Sequence, residues 1–280
     1  MYTQVYLFII SLIAAVSNTV LYSISTSDCA VKKIVFISLT TLLISFLALT
    51  ILIWLSFIIF SLFISRKKEY KKLSPFYSKL FNFYYKYLCS LAGVKVKITG
   101  LEKFKAIENQ RFLLVSNHRS KFDNMIECVL FGKRHISFIS KKENFKLPFI
   151  GKYMKRNLYL SLDRGNLSQN LEEILKSINY ISSDMCSIGV FPEGTRSRDL
   201  TLLDFKPGCF KIATKTKSPI VVVALSGTEN IHKKWWTRNV KVNVDVLEVL
   251  TAADYENKKT TEISDSIYSL MKSHLDLNSK

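Results

Sequence analysis

The chain has 280 residues, enough for one sizeable domain with an appendage, and a formal net charge of +18, which predicts a polyanionic partner or a lysine-rich solvated surface. Residues 1–65 carry only Asp28, Lys32 and Lys33 as charged side chains, a net charge of +1, which leaves +17 for residues 66–280. The five widely spaced cysteines and four histidines contain no zinc-ligand, redox or HExxH spacing, so we predict reduced cysteines and no metal site.

The chain begins with two apolar stretches, at residues 5–25 and 34–64. A membrane span needs about 20 apolar residues, and the second stretch is longer, so it must tilt, extend into the interface or contain two pieces. The first stretch contains Asn18 and several serines and threonines, which leaves open a shallow re-entrant element. No Lys or Arg precedes it, which argues against a cleaved signal peptide. We therefore predict an N-terminal two-helix membrane anchor.

A basic segment, RKKEYKK at residues 66–72, directly follows the second apolar stretch. Such a cluster favours the cytoplasmic side of a membrane and contact with anionic headgroups. The sequence therefore predicts a membrane-anchoring part at residues 1–72 and a domain at residues 73–280 that faces the cytoplasm.

The next segment, SPFYSKLFNFYYKYLCSLAGV at residues 74–94, predicts an aromatic-rich helix that begins near Pro75. Its Phe, Tyr and Lys side chains suit a helix that lies on the bilayer surface. They suit a core helix of the following domain equally well, so both interpretations stay open.

Beyond residue 94, short apolar runs alternate with amphipathic stretches. The β-like runs are VKVKITG, RFLLVS, HISFIS, LYLSLD, CSIGVFP, IVVVAL and VKVNVDVLEV, the last with a valine at every second position from Val240 to Val246. Helices are predicted at residues 207–216, over the C-terminal 25 residues, and in NLSQNLEEILKSINYI. The helix predicted in NLSQNLEEILKSINYI has an apolar stripe of Leu167, Leu171, Ile174, Leu175, Ile178 and Ile181. Strands that alternate with helices predict an α/β layered domain with a mostly buried mixed sheet flanked by helices.

The first of three polar clusters, residues 117–123, follows the run RFLLVS. Ser120 and Asp123 have the spacing of a capping box, which explains both residues as a helix start at Ser120 without any chemistry. A helix that starts there also leaves His118 in the preceding turn, where Asp123 can reach its ring. An Asp bonded to one imidazole nitrogen stabilises the imidazolium and leaves the other nitrogen as a general base. Because no Ser or Cys lies in a GxSxG context, the base would activate a substrate hydroxyl directly.

The other two clusters also follow β-like runs, where ligands collect in α/β sheets. Arg164 follows LYLSLD, and FPEGTRSR at residues 191–198 follows CSIGV, with a tight turn predicted at Gly194. Arg164 and Arg196 in one cleft would form a phosphate clamp, because a guanidinium binds phosphate through two parallel hydrogen bonds. Glu193 would tie these arginines together or accept a hydrogen bond from the substrate. Each cluster alone is also compatible with an ordinary polar turn.

These motifs resemble those of the glycerolipid acyltransferases, the 1-acylglycerol-3-phosphate O-acyltransferase family. NHRSKFD is similar to the family's Asn-His-x-x-x-x-Asp motif, and FPEGTRSR matches its second motif at every fixed position. Weaker similarities follow in the family's order: YLSLDR, FKPG with Lys206, and SPIVVVALSG. Together they span residues 116–227. One departure is Val222, where the family often has proline, so the acceptor and acyl-chain details are less constrained than the chemistry.

The resemblance implies transfer of a fatty acyl group from coenzyme A or acyl carrier protein to the free hydroxyl of 1-acylglycerol 3-phosphate, giving phosphatidic acid in phospholipid synthesis. It implies that His118 is the base and Asp123 its partner. Around the acceptor phosphate it implies Arg164, Glu193, Gly194, Thr195, Arg196 and Lys206. It implies no metal and no bound cofactor, with a membrane lipid and an anionic membrane surface, rather than nucleic acid, as the partners.

Two alternatives stay open at this point. The acceptor could be another lyso-phospholipid or glycerol 3-phosphate. A non-catalytic anchored protein that binds acidic lipids would explain the charge, but it gives no reason for His118, Asp123 and Glu193. The motif HKKWWTR, residues 232–238, indicates either a membrane-facing patch or a partly buried tryptophan pair.

Overall fold

A computed structural model describes residues 3–25, 31–163 and 165–277. The chain divides into two compact units, Met1–Ile64 and Ser65–Lys280. The basic segment at residues 66–72 therefore lies in the second unit, where Tyr70 packs against the core. The functional division predicted after residue 72 stays a prediction.

The first unit contains two apolar helices, α1 (Thr3–Ser25) and α2 (Val31–Leu62). Within α2, the 28 residues Val35–Leu62 are long and apolar enough to cross a membrane, judged by length and composition. The apolar part of α1, Leu7–Leu21, is shorter than a membrane span requires. The structure thus contains the two predicted helices, and one of them has the length of a span.

Polar side chains of α1 find partners on α2. Asn18 Nδ2 donates a hydrogen bond to Thr41 Oγ1 at 2.9 Å, and the hydroxyls of Thr19 and Ser38 are hydrogen-bonded to each other. Asn18, which left open a re-entrant element in the sequence, therefore joins two packed helices.

The second unit contains nine described α-helices and seven strands. The helices are α3 (Pro75–Leu91), α4 (Leu101–Lys105), α5 (Asp123–Phe131), α6 (Ile150–Arg156), α7 (Leu167–Ser182), α8 (Lys211–Thr216), α9 (Ile231–Lys234), α10 (Ala252–Tyr255) and α11 (Thr260–Leu277). The strands are β1 (Val94–Thr99), β2 (Leu113–Ser116), β3 (Ile136–Lys141), β4 (Leu160–Leu162), β5 (Ser187–Val190), β6 (Ile220–Ser226) and β7 (Val240–Leu250).

The seven strands form one mixed sheet in the order β1-β7-β6-β2-β5-β3-β4. The five strands from β6 to β4 are parallel to one another, whereas β7 is antiparallel to β6 and parallel to β1. Every residue of β2 and β5 is buried, as expected for central strands covered by helices on both faces. In β7 the valines at positions 240, 242, 244 and 246 are buried, so the predicted period-two strand is confirmed. The predicted α/β layered fold is also confirmed.

Helix α3 is a core helix of the second unit. It begins at Pro75, where the Ser74 side chain accepts a hydrogen bond from the Tyr77 N–H. Its buried side chains include Phe81, whose ring lies 5.5 Å from that of Tyr153 and is stacked on it. Of the two interpretations left open by the sequence, burial favours the core helix, because a surface helix would leave these rings exposed.

The buried face of α7 coincides only in part with the predicted apolar stripe: Ile181 is buried and Ile174 packs against the core. Leu171 and Leu175 are 55% and 56% exposed, whereas Glu173 and Ser177 are buried. Glu173 is buried because its Oε2 accepts the backbone N–H of Ser161 in the neighbouring strand β4, at 3.0 Å. A hydrogen-bonded carboxylate thus lies on the buried face of the helix, where hydropathy alone predicts apolar side chains.

Four cysteines lie within the described residues with free thiols, and Cys89, Cys128 and Cys186 are buried. Burial raises the pKa of each of these three thiols to about 12, so they are protonated core residues rather than nucleophiles. This agrees with the predicted reduced cysteines. Cys29 lies outside the described residues.

The parallel strands place the predicted motifs at one edge of the sheet. Because β2, β5 and β6 run in the same direction, the residues that follow Ser116, Val190 and Ser226 leave the sheet at the same edge. These residues open the NHRSKFD motif, the FPEGTRSR motif and the β6–β7 connection.

Candidate active site

The corner after β2 is fixed to the neighbouring strand by Asn117. Its side-chain amide donates to the Leu225 carbonyl at 3.0 Å and accepts the Leu225 N–H at 2.7 Å, so it pairs with β6 as a backbone residue would. Asn117 is 1% exposed. The paired amide fixes the position from which the next residue, His118, leaves the sheet. This role of Asn117 was not predicted from the sequence, because its partner Leu225 lies far along the chain.

The structure places the His118 ring against the Asp123 carboxylate. Nδ1 of His118 lies 2.8 Å from Oδ2 of Asp123, and Asp123 is fully buried. The same oxygen accepts the backbone N–H groups of Arg119 and Ser120, each at 2.7 Å. The contact predicted across the strand-to-helix corner is therefore present, while the catalytic roles of both residues stay predictions.

The helix predicted to start at Ser120 starts three residues later, at Asp123. The N–H groups of Arg119 and Ser120 turn toward the Asp123 carboxylate, so this stretch is a loop wrapped around a side chain rather than a first helical turn. Ser120 Oγ accepts the N–H of Phe122 at 3.2 Å instead of capping α5. The capping-box interpretation therefore gives the wrong helix start.

One further contact holds the imidazole. Its ring stacks on Phe191, the first residue after β5, with centroids 4.1 Å apart and planes inclined by 15°. The His118 side chain is still 21% exposed, so solvent or a substrate can reach it. Because Asp123 binds Nδ1, the nitrogen that remains for a substrate hydroxyl is Nε2. In the sequence Phe191 is noticeable only as part of the FPEGTRSR motif, and its contact with the imidazole was not predicted.

Glu193 joins the FPEGTRSR motif to the NHRSKFD motif. Its Oε1 accepts the backbone N–H of His118 at 2.6 Å, and its Oε2 accepts that of Leu203 at 3.0 Å. The carbonyl of His118 in turn accepts the N–H of Ser197 at 3.0 Å. Glu193 is 4% exposed, and burial raises the pKa of its carboxyl to about 7. Both oxygens therefore have protein donors, and a direct contact of Glu193 with an acceptor stays a prediction.

The turn at Gly194 carries three of the predicted phosphate-binding residues. Gly194 has φ +66°, a left-handed conformation, and its N–H donates to the Phe191 carbonyl at 2.9 Å. A Cβ on Gly194 would lie 3.1 Å from Nζ of Lys206, so the lysine ammonium sits over the turn. Thr195 is half-buried and Arg196 is exposed beside them.

The third predicted cation, Arg164, lies outside the described residues. The strand that precedes it in the chain, β4, is separated from β2 by β5 and β3. Neighbouring strands lie about 4.8 Å apart, so the distance between β4 and β2 is about 14 Å. The structure thus brings Lys206 to the turn that carries Arg196, while the part of Arg164 in a common clamp stays a prediction.

Glu127 is a residue of this region that sequence analysis missed. It lies one turn after Asp123 on the same face of α5 and is fully buried. Burial raises its pKa well above the usual value, and the negative charge of Asp123 raises it further. A second buried carboxyl therefore lies one helical turn behind that of Asp123. The four-residue spacing from Asp123 within an apolar helix was the available signal.

The part of the chain that carries these residues is similar to known proteins. Residues 95–226 match the family model described as Acyltransferase. The 1-acyl-sn-glycerol-3-phosphate acyltransferase of Cocos nucifera is 30% identical over 195 residues, which are 68% of this chain and 61% of that protein. The enzyme of the same name from Haemophilus influenzae is 29% identical over 191 residues, 67% of this chain and 77% of that one. The chain spans less than two thirds of the length of the coconut relative.

A solved structure shares the fold. The crystal structure of the 1-acyl-sn-glycerophosphate (LPA) acyltransferase from Thermotoga maritima superposes with a TM-score of 0.58 at 22% identity, over 84% of this chain and 92% of that one. At this identity the likeness shows the fold alone. Residues 95–226 of this chain thus match the acyltransferase family, and the resemblance to the 1-acylglycerol-3-phosphate O-acyltransferases that its motifs predicted is confirmed.

Proposed function

We propose that this chain transfers a fatty acyl group from acyl-CoA or acyl carrier protein to the free hydroxyl of 1-acylglycerol 3-phosphate, giving phosphatidic acid. One observation carries the proposal: the His118–Asp123 pair is joined through Glu193 to the turn that carries Arg196. A base and a group of cations therefore adjoin each other on a domain whose relatives are named as acyltransferases of this substrate.

In the proposed reaction, Nε2 of His118 takes the proton of the acceptor hydroxyl, and the hydroxyl oxygen attacks the carbonyl carbon of the thioester. Asp123, at 2.8 Å from Nδ1, stabilises the imidazolium that forms. Collapse of the tetrahedral intermediate breaks the carbon–sulfur bond, and the imidazolium returns the proton to the leaving thiolate. The step needs no protein nucleophile. The absence of a metal or bound cofactor stays a prediction.

The acceptor phosphate is proposed to bind at the Gly194 turn. The cations there are Arg196 and Lys206, both exposed, and Arg164 is proposed to join them from the end of β4. Glu193 contributes by holding this turn to the backbone of His118, which sets the distance between base and phosphate.

We further propose that the chain works at a membrane. Val35–Leu62 would span the bilayer, and the basic segment at residues 66–72 would place the catalytic domain on the cytoplasmic side. The acceptor would then be reached within the membrane, while the water-soluble donor arrives from the cytoplasm. The charge of +17 beyond residue 65 favours an anionic membrane and an anionic donor.

A panel of acceptors tests the proposed reaction. The full chain in phospholipid vesicles receives one radiolabelled acyl thioester and either lysophosphatidate, glycerol 3-phosphate or a zwitterionic lyso-lipid. We expect label in phosphatidic acid with lysophosphatidate as the preferred acceptor. Preference for another acceptor would support one of the two enzymatic alternatives. Lipid binding without transfer to any acceptor would support the non-catalytic alternative.

The phosphate clamp has its own test. Replacement of Arg196 by Ala removes a charged hydrogen-bond donor, so we expect the KM for lysophosphatidate to rise about 10- to 100-fold. Arg198→Ala is the matched control, because it removes an equally exposed arginine two residues away. An unchanged KM in the Arg196 variant would contradict the clamp.

A further inference from the structure

The β6–β7 connection leaves the sheet at the edge that carries His118. The strand before this connection, β6, is parallel to β2. Near its end, both the N–H and the carbonyl of Leu225 are hydrogen-bonded to the side chain of Asn117, the residue before His118. The connection begins at Gly227 and ends at Asn239. Its eight residues 232–239 are all exposed, and we refer to them as the tryptophan turn.

The tryptophan turn exposes two large apolar rings. Trp235 and Trp236 are 56% and 65% exposed, with ring centroids 6.3 Å apart and planes at 82°. This exposure decides between the two interpretations of HKKWWTR, because a partly buried pair would hide most of both rings. Adjacent exposed indoles on a catalytic domain indicate an interaction site rather than ordinary surface.

The charge of the turn specifies the partner. Lys233, Lys234 and Arg238 flank the two indoles, and residues 232–239 contain no acidic side chain. Tryptophan together with lysine and arginine is the combination found where proteins meet the interface of an anionic bilayer. An indole has an apolar body for the acyl boundary and an N–H for the headgroups.

Both ends of the turn are fixed to the core. Ile231 is fully buried before it, and after it Val240 is buried and donates its N–H to the Gly93 carbonyl at 3.1 Å. The Arg238 backbone packs so closely on Gly93 that a Cβ there would lie 2.2 Å from Cα of Arg238. The backbone therefore presents the two indoles from a fixed base, so little conformational entropy opposes docking.

We propose that the tryptophan turn is a bilayer contact of the catalytic domain, separate from the N-terminal helices. Trp235 and Trp236 insert between lipid headgroups, and the three cations bind lipid phosphates. Because the turn shares its sheet edge with His118, docking brings the catalytic edge to the membrane surface. This last consequence rests on the proposed function, since it concerns access to a membrane-held acceptor.

Tryptophan fluorescence tests the contact without any reaction. The full chain has three tryptophans, so Trp54→Phe leaves only the two of the turn. This variant is reconstituted without acyl donor into bilayers of equal parts phosphatidylcholine and phosphatidylglycerol, with a brominated lipid as quencher. We expect blue-shifted emission that the bromine quenches. Emission typical of water-exposed indole, without quenching, would overturn the proposal.

Charge neutralisation tests the lipid specificity. In the same bilayers, replacing the three cations by Gln should reduce the docked-to-undocked ratio about five-fold for each cation, which corresponds to about 1 kcal/mol each. The wild-type turn should likewise dock less in pure phosphatidylcholine. Equal quenching with and without phosphatidylglycerol would contradict the role of the cations.

A kinetic comparison links the contact to the proposed reaction. Trp235→Ala/Trp236→Ala should raise the KM for bilayer-embedded lysophosphatidate several-fold and leave the kinetics with a short-chain, water-soluble analogue unchanged. The control Leu171→Ala/Leu175→Ala removes another exposed apolar pair, on α7, and should change neither. Equal effects of both pairs would contradict a specific contact. Quenching without acyl transfer would contradict the proposed function alone, and acyl transfer without quenching would contradict the tryptophan turn alone.

Discussion

At the scale of residues, one oxygen shapes the catalytic corner. Oδ2 of Asp123 lies 2.8 Å from Nδ1 of His118 and accepts the backbone N–H groups of Arg119 and Ser120, each at 2.7 Å. The loop conformation and the orientation of the imidazole therefore depend on the same carboxylate. In the proposed reaction, the same carboxylate would stabilise the protonated ring of His118.

The second buried carboxyl, Glu127, predicts a pH dependence of stability. Its pKa in the folded chain lies well above the usual value because of burial, so the folded state keeps a proton that the unfolded state loses above about pH 4.5. The free energy of unfolding should then fall as pH rises, by up to about 1.4 kcal/mol per pH unit from this group. Glu127→Gln should flatten that slope and stabilise the chain at neutral pH.

Thermal unfolding in detergent from about pH 5 to about pH 8 measures this difference. Glu193, whose pKa burial raises to about 7, contributes a slope of the same sign in both proteins, so the difference isolates Glu127. Glu102→Gln, at an exposed glutamate, is the control. Parallel curves for wild type and the Glu127 variant would show that this carboxyl is ionised in the folded chain.

Single residues were predictable from the sequence where their partners are near in the chain. The contact between His118 and Asp123 follows from five positions of local sequence and a strand-to-helix corner. Glu193 was identified as a site residue, but its hydrogen bond to the backbone of His118 spans 75 positions. No local pattern encodes such a bond, because it depends on the neighbourhood of β2 and β5 in the folded sheet.

At the scale of elements, the turn after β5 depends on a residue without a side chain. In Gly194→Ala, the left-handed φ of +66° costs about 1–2 kcal/mol, and the new Cβ would displace Lys206. We expect weaker binding of lysophosphatidate and a lower melting temperature. Gly208→Ala, in the neighbouring FKPG motif, is the matched control, because a Cβ there meets nothing within 4 Å. Equal kinetics and stability of the two variants would contradict the proposed turn geometry.

Most helices and strands could be predicted from the pattern of apolar residues, and the incorrect predictions for α5 and α7 have physical reasons. The period-two valines of β7 and the helix at residues 207–216, a 3-10 turn continued by α8, are present as predicted. The predicted start of α5 is wrong because the Asp123 carboxylate accepts the N–H groups of Arg119 and Ser120, so these residues form a loop instead of a first helical turn. The apolar stripe predicted for α7 is only partly right: Ile181 is buried and Ile174 packs against the core, but Leu171 and Leu175 are exposed. The buried face includes Glu173 instead, which is hydrogen-bonded to β4.

At the scale of the whole molecule, the order of the strands could not be read from the sequence. Strands β2 and β5 are neighbours in the sheet although β3 and β4 lie between them in the chain. The sheet became mixed because β7 returns antiparallel beside β6. The pairing is decided by long-range packing, whereas the sequence pattern reports only which segments are strands and which faces are apolar.

The distribution of charge and apolar surface predicts how the chain is held at a membrane. If Val35–Leu62 spans the bilayer, the full chain should stay in the membrane pellet at high salt and be released only by detergent. A protein held by its +17 surface alone should be released as salt screens the charges. Fractionation of membranes washed with increasing salt distinguishes the two cases, and release by salt would contradict the spanning helix.

The central claim is that the imidazole of His118 takes the proton of the acceptor hydroxyl. The most direct measurement is the rate of radiolabelled thioester consumption with lysophosphatidate, compared between wild type and His118→Ala at equal folded concentration. We expect a loss of about 10²- to 10⁴-fold, the usual contribution of a general base, with circular dichroism and melting behaviour preserved. Wild-type rates in the folded His118 variant would contradict the account.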